Sequence, residues 1–170
     1  LFAIIYIVTF STSTFNLIFS KFSAEFHGKN ERGKIKYLFQ KNLSKILLIG
    51  FILFIIYILL TPFIANFLKI EGYFGIIVVG LIAYVSFISV LFTGILNGMQ
   101  KFIWQNSTGF ISTILKFTLA IILVTIGFKV NGALTAVLLG MLLSLFISYI
   151  PIKKEIKEKS ISFNLKKIYL

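Results

Sequence analysis

Long apolar runs separated by short polar and basic segments set the rhythm of this chain. A helix needs about 20 mostly apolar residues to cross roughly 30 Å of hydrocarbon. Five stretches qualify: 1–20, 46–67, 73–96, 107–128 and 132–152. The pattern predicts an all-α fold, a polytopic integral-membrane helical bundle of about five transmembrane helices, with 1–152 as one domain. Pro62 and Gly72 frame an expected tight turn after the second span, in "TPFIANFLKIEG". The third gives way to "NGMQKFIWQNS", and "FKVNG" leaves just enough chain to reverse between the last two. Segment 21–45 is expected to be a polar, basic loop. Within it Ile35, Leu38, Phe39 and Leu43 recur at helical spacing among lysines, as in an amphipathic helix lying on the inner leaflet. His27 is expected to be a loop residue rather than a proton relay.

Charge supplies an orientation. Of the 17 Lys and Arg residues, the segments after spans one, three and five carry 7, 1 and 6, those after spans two and four carry only Lys69 and Lys129, and Lys116 is the last. Positive residues concentrate on the cytoplasmic side of membrane proteins. The basic segments 21–45, 98–106 and 153–170 are therefore expected in the cytoplasm of a multi-pass plasma-membrane protein. Residue 1 then starts outside, within an apolar run and without an initiator Met, so the chain reads as a piece of a longer protein whose first helix is missing. Segment 153–170 is expected to lead into the remainder.

Composition narrows the chemistry. Hydrophobic residues make up 58% and charged residues 13%, against about 45–50% and a quarter in soluble domains. The net charge of +12 lies in short segments between apolar runs, which argues against nucleic acid as a partner. Without cysteine there are no disulfides, thiolate metal sites or cysteine nucleophiles. Five acids, Glu25, Glu31, Glu71, Glu155 and Glu158, and one His leave little for a metal or for carboxylate catalysis. The expectation is a protein that is not an enzyme and uses no metal or cofactor.

One charge stands apart. Lys116 sits near the middle of "GFISTILKFTLAIILVTIGF", too deep for its stem to carry the ammonium fully to the surface. An unpaired lysine there costs about 2.5–3.5 kcal/mol, so it is expected to face a polar cavity or a partner. Gly109, Ser112, Thr113, Lys116 and Ala120 share one helix face by their three- and four-residue steps. Other spans carry similar stripes: Thr9, Thr12, Ser13, Asn16 and Ser20 in the first, Gly80, Ala83, Ser86, Thr93, Gly94 and Asn97 in the third, Thr135, Ala136, Gly140, Ser144 and Ser148 in the fifth. Small residues let helices pack closely in lipid, and hydroxyls bond back to their own helix, so most of these are read as packing. Lys116 is read as functional. The five spans hold no acid to pair with it, which points to an anionic substrate or to an acid on a helix beyond this sequence.

The order of these features resembles the polysaccharide biosynthesis, or oligosaccharide flippase, family, in the superfamily that includes multidrug and toxin extruders. "FSKFSAEFHGKNERGKIKYLFQKNLSK" is similar to its basic loop after helix two, through Ala24, Glu25, Gly28 and Lys29. "LLTPFIANFL" resembles the Pro-marked end of helix three. "GILNGMQKFIWQNSTGFISTILK" is similar to the turn between helices four and five, through Gly94, Gly98, Gln100, Lys101 and Phe102. "GFKVNGALTAVLLGMLLS" resembles the link from helix five to six, through Gly127, Gly132 and Ala133. The resemblance implies helices two to six of a two-lobe transporter, with the second lobe missing here. It also implies a substrate, a lipid-linked oligosaccharide with a polyprenyl pyrophosphate anchor. Lys116 suits the pyrophosphate by charge and depth, and Asn16, Asn97 and Ser112 are candidate hydrogen-bonding partners for sugar or phosphate. The alternatives are a drug or metabolite extruder of the same superfamily, an integral-membrane glycosyltransferase, or a non-catalytic scaffold subunit. Extruders often use a buried carboxylate that these spans lack, and a glycosyltransferase needs acids at the outer face, where Glu71 stands alone.

Overall fold

The computed structural model describes residues 2–69 and 72–155, with side chains at 13–69 and 72–154. Among the described residues five helices follow one another: α1 (Phe2–Gly28), α2 (Arg32–Leu68), α3 (Phe74–Gly98), α4 (Phe102–Leu123) and α5 (Lys129–Glu155). There is no strand among the described residues. By length and apolar composition α2, α3 and the run Phe102–Lys154 are each sufficient to cross a membrane. That last run is folded back on itself. Within Val124–Phe128 the helix breaks: Gly127 adopts the non-helical φ 108°, ψ 2°, and Lys129 follows at φ 46°, ψ −131°, so the chain reverses. The positive φ at 127 is a conformation that glycine adopts without steric cost. The reversal begins at Gly127, one residue before the "FKVNG" link, and ends at Lys129 within it.

α3 is the central helix. α1 and α5 run parallel to it: Ser23 Oγ donates to Ile95 O at 3.2 Å, and Leu134 packs with Val78, Val79 and Ile82. The α1 seam is close because Gly94 and Gly98 have no side chain. A β-carbon at Gly98 would lie 2.5 Å from both Ser20 O and Ser23 Cβ, and one at Gly94 2.7 Å from Phe19 Cβ. This is the small-xxx-small packing that brings helices together in lipid. α2 runs antiparallel to α3 through a reciprocal pair of contacts. Tyr57 covers Gly80 and donates to Ile76 O at 3.1 Å, while Tyr84 covers Gly50 and donates to Leu47 O at 3.4 Å.

The basic segment 21–45 is not a loop. α1 runs through it to Gly28, and α2 begins at Arg32, so only Lys29–Glu31 turn, with Asn30 at φ 59°. His27 belongs to the last turn of α1. Ile35, Leu38 and Phe39 do form one apolar face, but all three are buried. Ile35 and Phe39 pack with Phe26, Phe92, Ile95, Met99 and Ile152. The rings of Phe39 and Phe92 meet edge to face at 5.3 Å. The face therefore joins a protein core at the basic end of the bundle instead of lying on lipid. With 37 residues, α2 is about 55 Å long, well beyond the hydrocarbon, because no Gly or Pro interrupts 34–49.

Three other boundaries differ from expectation. Pro62 lies inside α2, which ends only at Leu68, followed by Lys69 as a left-handed cap whose N–H reaches Ala65 O and Asn66 O. The N–H that Pro62 lacks removes one intrahelical bond without ending the helix. Segment 98–106 narrows to a turn at Met99–Lys101, with Gln100 at φ 57°. Segment 153–170 begins as the end of α5, and residues 156–170, like the side chains of the first stripe at Thr9 and Thr12, lie outside the described residues.

Candidate functional site

Lys116 stands 14 residues after the first residue of α4 and 12 before Phe128, about 21 Å and 18 Å along the helix. That is mid-depth. Opposite it runs α5, antiparallel, so residues equidistant from the reversal face each other. Ser112 Oγ donates to Gly140 O at 2.7 Å and is buried. One turn further, the stem of Lys116 rests on Gly140 itself. A β-carbon at 140 would collide with Lys116 Cγ and lie 3.0 Å from its Cε and 3.1 Å from its Cδ. Gly140 is thus the notch through which the lysine crosses α5.

Lys116 is partly buried, and among the described residues no carboxylate pairs with it. The described carboxylate side chains are occupied elsewhere: Glu25 with Lys29 and Glu31 with Lys34, both at 2.6 Å. The Lys29 ammonium, by hydrogen bond and then by charge, holds the Glu25 carboxyl below its ordinary range, and Glu25 raises Lys29 in return.

The four residues proposed from sequence do not converge. Lys116 and Ser112 share the α4–α5 seam, but Asn16 and Asn97 lie along the α1–α3 seam toward the basic end. Asn16 Nδ2 donates to Thr93 Oγ1 at 2.7 Å, and the backbone carbonyl of Asn97 accepts from Gln100 N at 3.0 Å. Ser112 and Asn16 thus spend their polar groups on helix contacts. Most of the remaining hydroxyls do the same within one helix: Ser86, Ser89, Thr108, Thr113 and Thr135 all donate to the carbonyl four residues back.

Sequence reasoning missed two features. Gly140 was read only as part of a stripe, although it lies as far after Phe128 as Lys116 lies before it. The second is a bond between Trp104 and α5. Pro151 has no N–H to offer Ile147 O, the acceptor four residues back, and the indole of Trp104 fills that gap at 3.3 Å.

Apart from Lys41 and Lys45 further along α2, and from Lys69, Lys116 and Lys129, the described cations gather at the end of the bundle formed by the α1–α2 turn, the α3–α4 turn and the end of α5, or on the helical turns beside it. Membrane-length apolar helices, a basic end and a lone cation at mid-depth define a multi-pass helical membrane protein. No curated protein and no solved structure matches it. The polysaccharide biosynthesis protein family matches residues 2–169, and the chain belongs to that family. Family and apolar helices together support a membrane transporter role.

Proposed function

We propose that this chain forms part of a flippase that carries a lipid-linked oligosaccharide across the plasma membrane for cell-surface polysaccharide biosynthesis. The observation that carries the reading is Lys116: a cation at mid-depth, seated in a glycine notch, with no carboxylate partner among the described residues. Unpaired ionisable groups inside a membrane mark substrate or ion paths. An anionic headgroup is the chemistry that offsets this charge, and the polyprenyl pyrophosphate of a lipid-linked glycan supplies it. The five helices work with a second lobe of the same protein, and the lobes rock about a site near the midplane. The headgroup crosses between the lobes while the polyprenyl tail stays in lipid, and the basic end faces the cytoplasm. Of the other proposed contacts, Asn97 is the one whose amide has no hydrogen bond assigned among the described residues, so it is the better placed to meet sugar near the cytoplasmic side.

The test is surface glycan in cells whose only copy carries Lys116→Ala. Losing a hydrogen bond to a charged group costs about 1.5–3 kcal/mol, so export should fall about tenfold or more, with the variant still inserted at normal abundance. Undiminished export from an inserted variant contradicts the reading.

A further inference from the structure

A trough of about 240 Å³ opens between α1 and α2, against the side of α3. Along α2 its wall runs from Asn42 to Leu53, and polar side chains stand only at the first end, Asn42 and Lys45. Phe19, buried in the core at the basic end, and Val90, packed against that core, line its inner side. The outer rims are Phe15 on α1 and Ile49 and Leu53 on α2, each about half exposed. The amide of Asn42 already donates to Leu38 O at 2.8 Å. Lys45 is the last charged residue before the apolar run 46–67, so it stands at the edge of the hydrocarbon. Leu53 lies eight residues, about 12 Å, deeper. That is within the roughly 15 Å that one leaflet contributes to a hydrocarbon core of about 30 Å.

Helices in lipid associate by packing, and side chains bordering an unfilled gap forfeit the contacts on that side. Here the gap has the length and depth of a lipid chain and the polarity of one, apolar along its run with a cation where the headgroup would begin. We infer that the trough holds one acyl chain of a bilayer phospholipid from the leaflet at the basic end, with its phosphate at Lys45. Length, depth and apolarity select a chain of one leaflet, and Lys45 fixes which end carries the headgroup. Acidic and zwitterionic phospholipids share that phosphate, so the assignment rests on the trough and not on a net charge at its mouth. The site is separate from Lys116, which lies on the α4–α5 seam, and does not depend on what Lys116 binds.

Native mass spectrometry of the full-length protein, extracted from membranes and washed in detergent, reads the retained phospholipid and identifies it by mass. Melting temperatures near that of the wild type select the variants that stay folded. The wild type should retain a phospholipid. Leu53→Trp and Ile49→Trp each place an indole in the trough from α2 and should lose it. Leu59→Trp, on the same helix but outside the trough, should keep it. Lys45→Gln should lower retention and Lys45→Arg should preserve it. A wild type that holds no phospholipid overturns the inference, as does full retention by a folded trough-filling variant. Retention unchanged by Lys45→Gln overturns the placement of the phosphate. A polyprenyl-linked glycan in place of the phospholipid would assign the trough to a transported substrate and overturn the assignment to bilayer lipid.

Discussion

Lys116 depends on its neighbour across the seam. Its stem fits over α5 only because position 140 carries no side chain, so a single methyl added there displaces the ammonium while leaving its charge in place. Gly140→Ala should therefore reduce transport in the wild-type background and add nothing to the loss already caused by Lys116→Ala. Transport rates of the two single variants and the double variant check this coupling, and additive losses would show that Gly140 serves packing alone. The Glu25–Lys29 pair is a contrasting case. Glu25 is lowered and Lys29 raised, so the carboxylate's contribution is lost only as pH falls through its depressed value and the ammonium's only as pH rises through its elevated one. Between those limits the pair is constant, and both groups are exposed, where water and salt screen the attraction. Thermal melts of Glu25→Gln across the neutral range should match the wild type.

Helix packing here follows glycine placement. Gly98→Ala puts a methyl against the backbone of α1 at Ser20, which cannot swing aside as a side chain would. Overpacking of this kind costs about 1–3 kcal/mol, so the melting temperature of the purified protein in detergent should fall. Gly28→Ala, with nothing within 4 Å of the new methyl, should leave it unchanged within about 0.5 kcal/mol. The same contacts explain what the sequence could reveal. Spans and reversals were legible because twenty-residue apolar runs and the Gly127 link have few other structural solutions in lipid. Segment 21–45 was misread because its lysines look like a surface, while the partners of Ile35 and Phe39 come from α1, α3 and the far end of α5, more than a hundred residues away. Pro62 misled for a simpler reason: a helix held by its neighbours tolerates one missing bond. In the candidate site, depth and charge of Lys116 were readable from position alone. The assignment of Ser112 and Asn16 to helix contacts was not, since hydrogen-bonding capacity says nothing about which acceptor lies within reach.

The bundle as a whole has one heavily basic end and one sparse end, joined by helices that alternate in direction. With no native cysteine in this sequence, single cysteines can report on each end. A cysteine replacing Asn30 should react with an impermeant thiol reagent only from the cytoplasmic side, and one replacing Val130 only from outside; labelling of Asn30→Cys in intact cells would invert the proposed orientation. In the proposed function, transport requires the mid-depth cation to meet an anion that moves from one end to the other. The direct measurement is the rate at which a lipid-linked oligosaccharide placed in one leaflet of a reconstituted vesicle becomes accessible in the other, for wild type, Lys116→Arg and Lys116→Met. Retention of most of the rate by Arg and a loss of about tenfold or more in Met is the predicted result; equal rates for all three would contradict a role for the buried charge in carrying the headgroup.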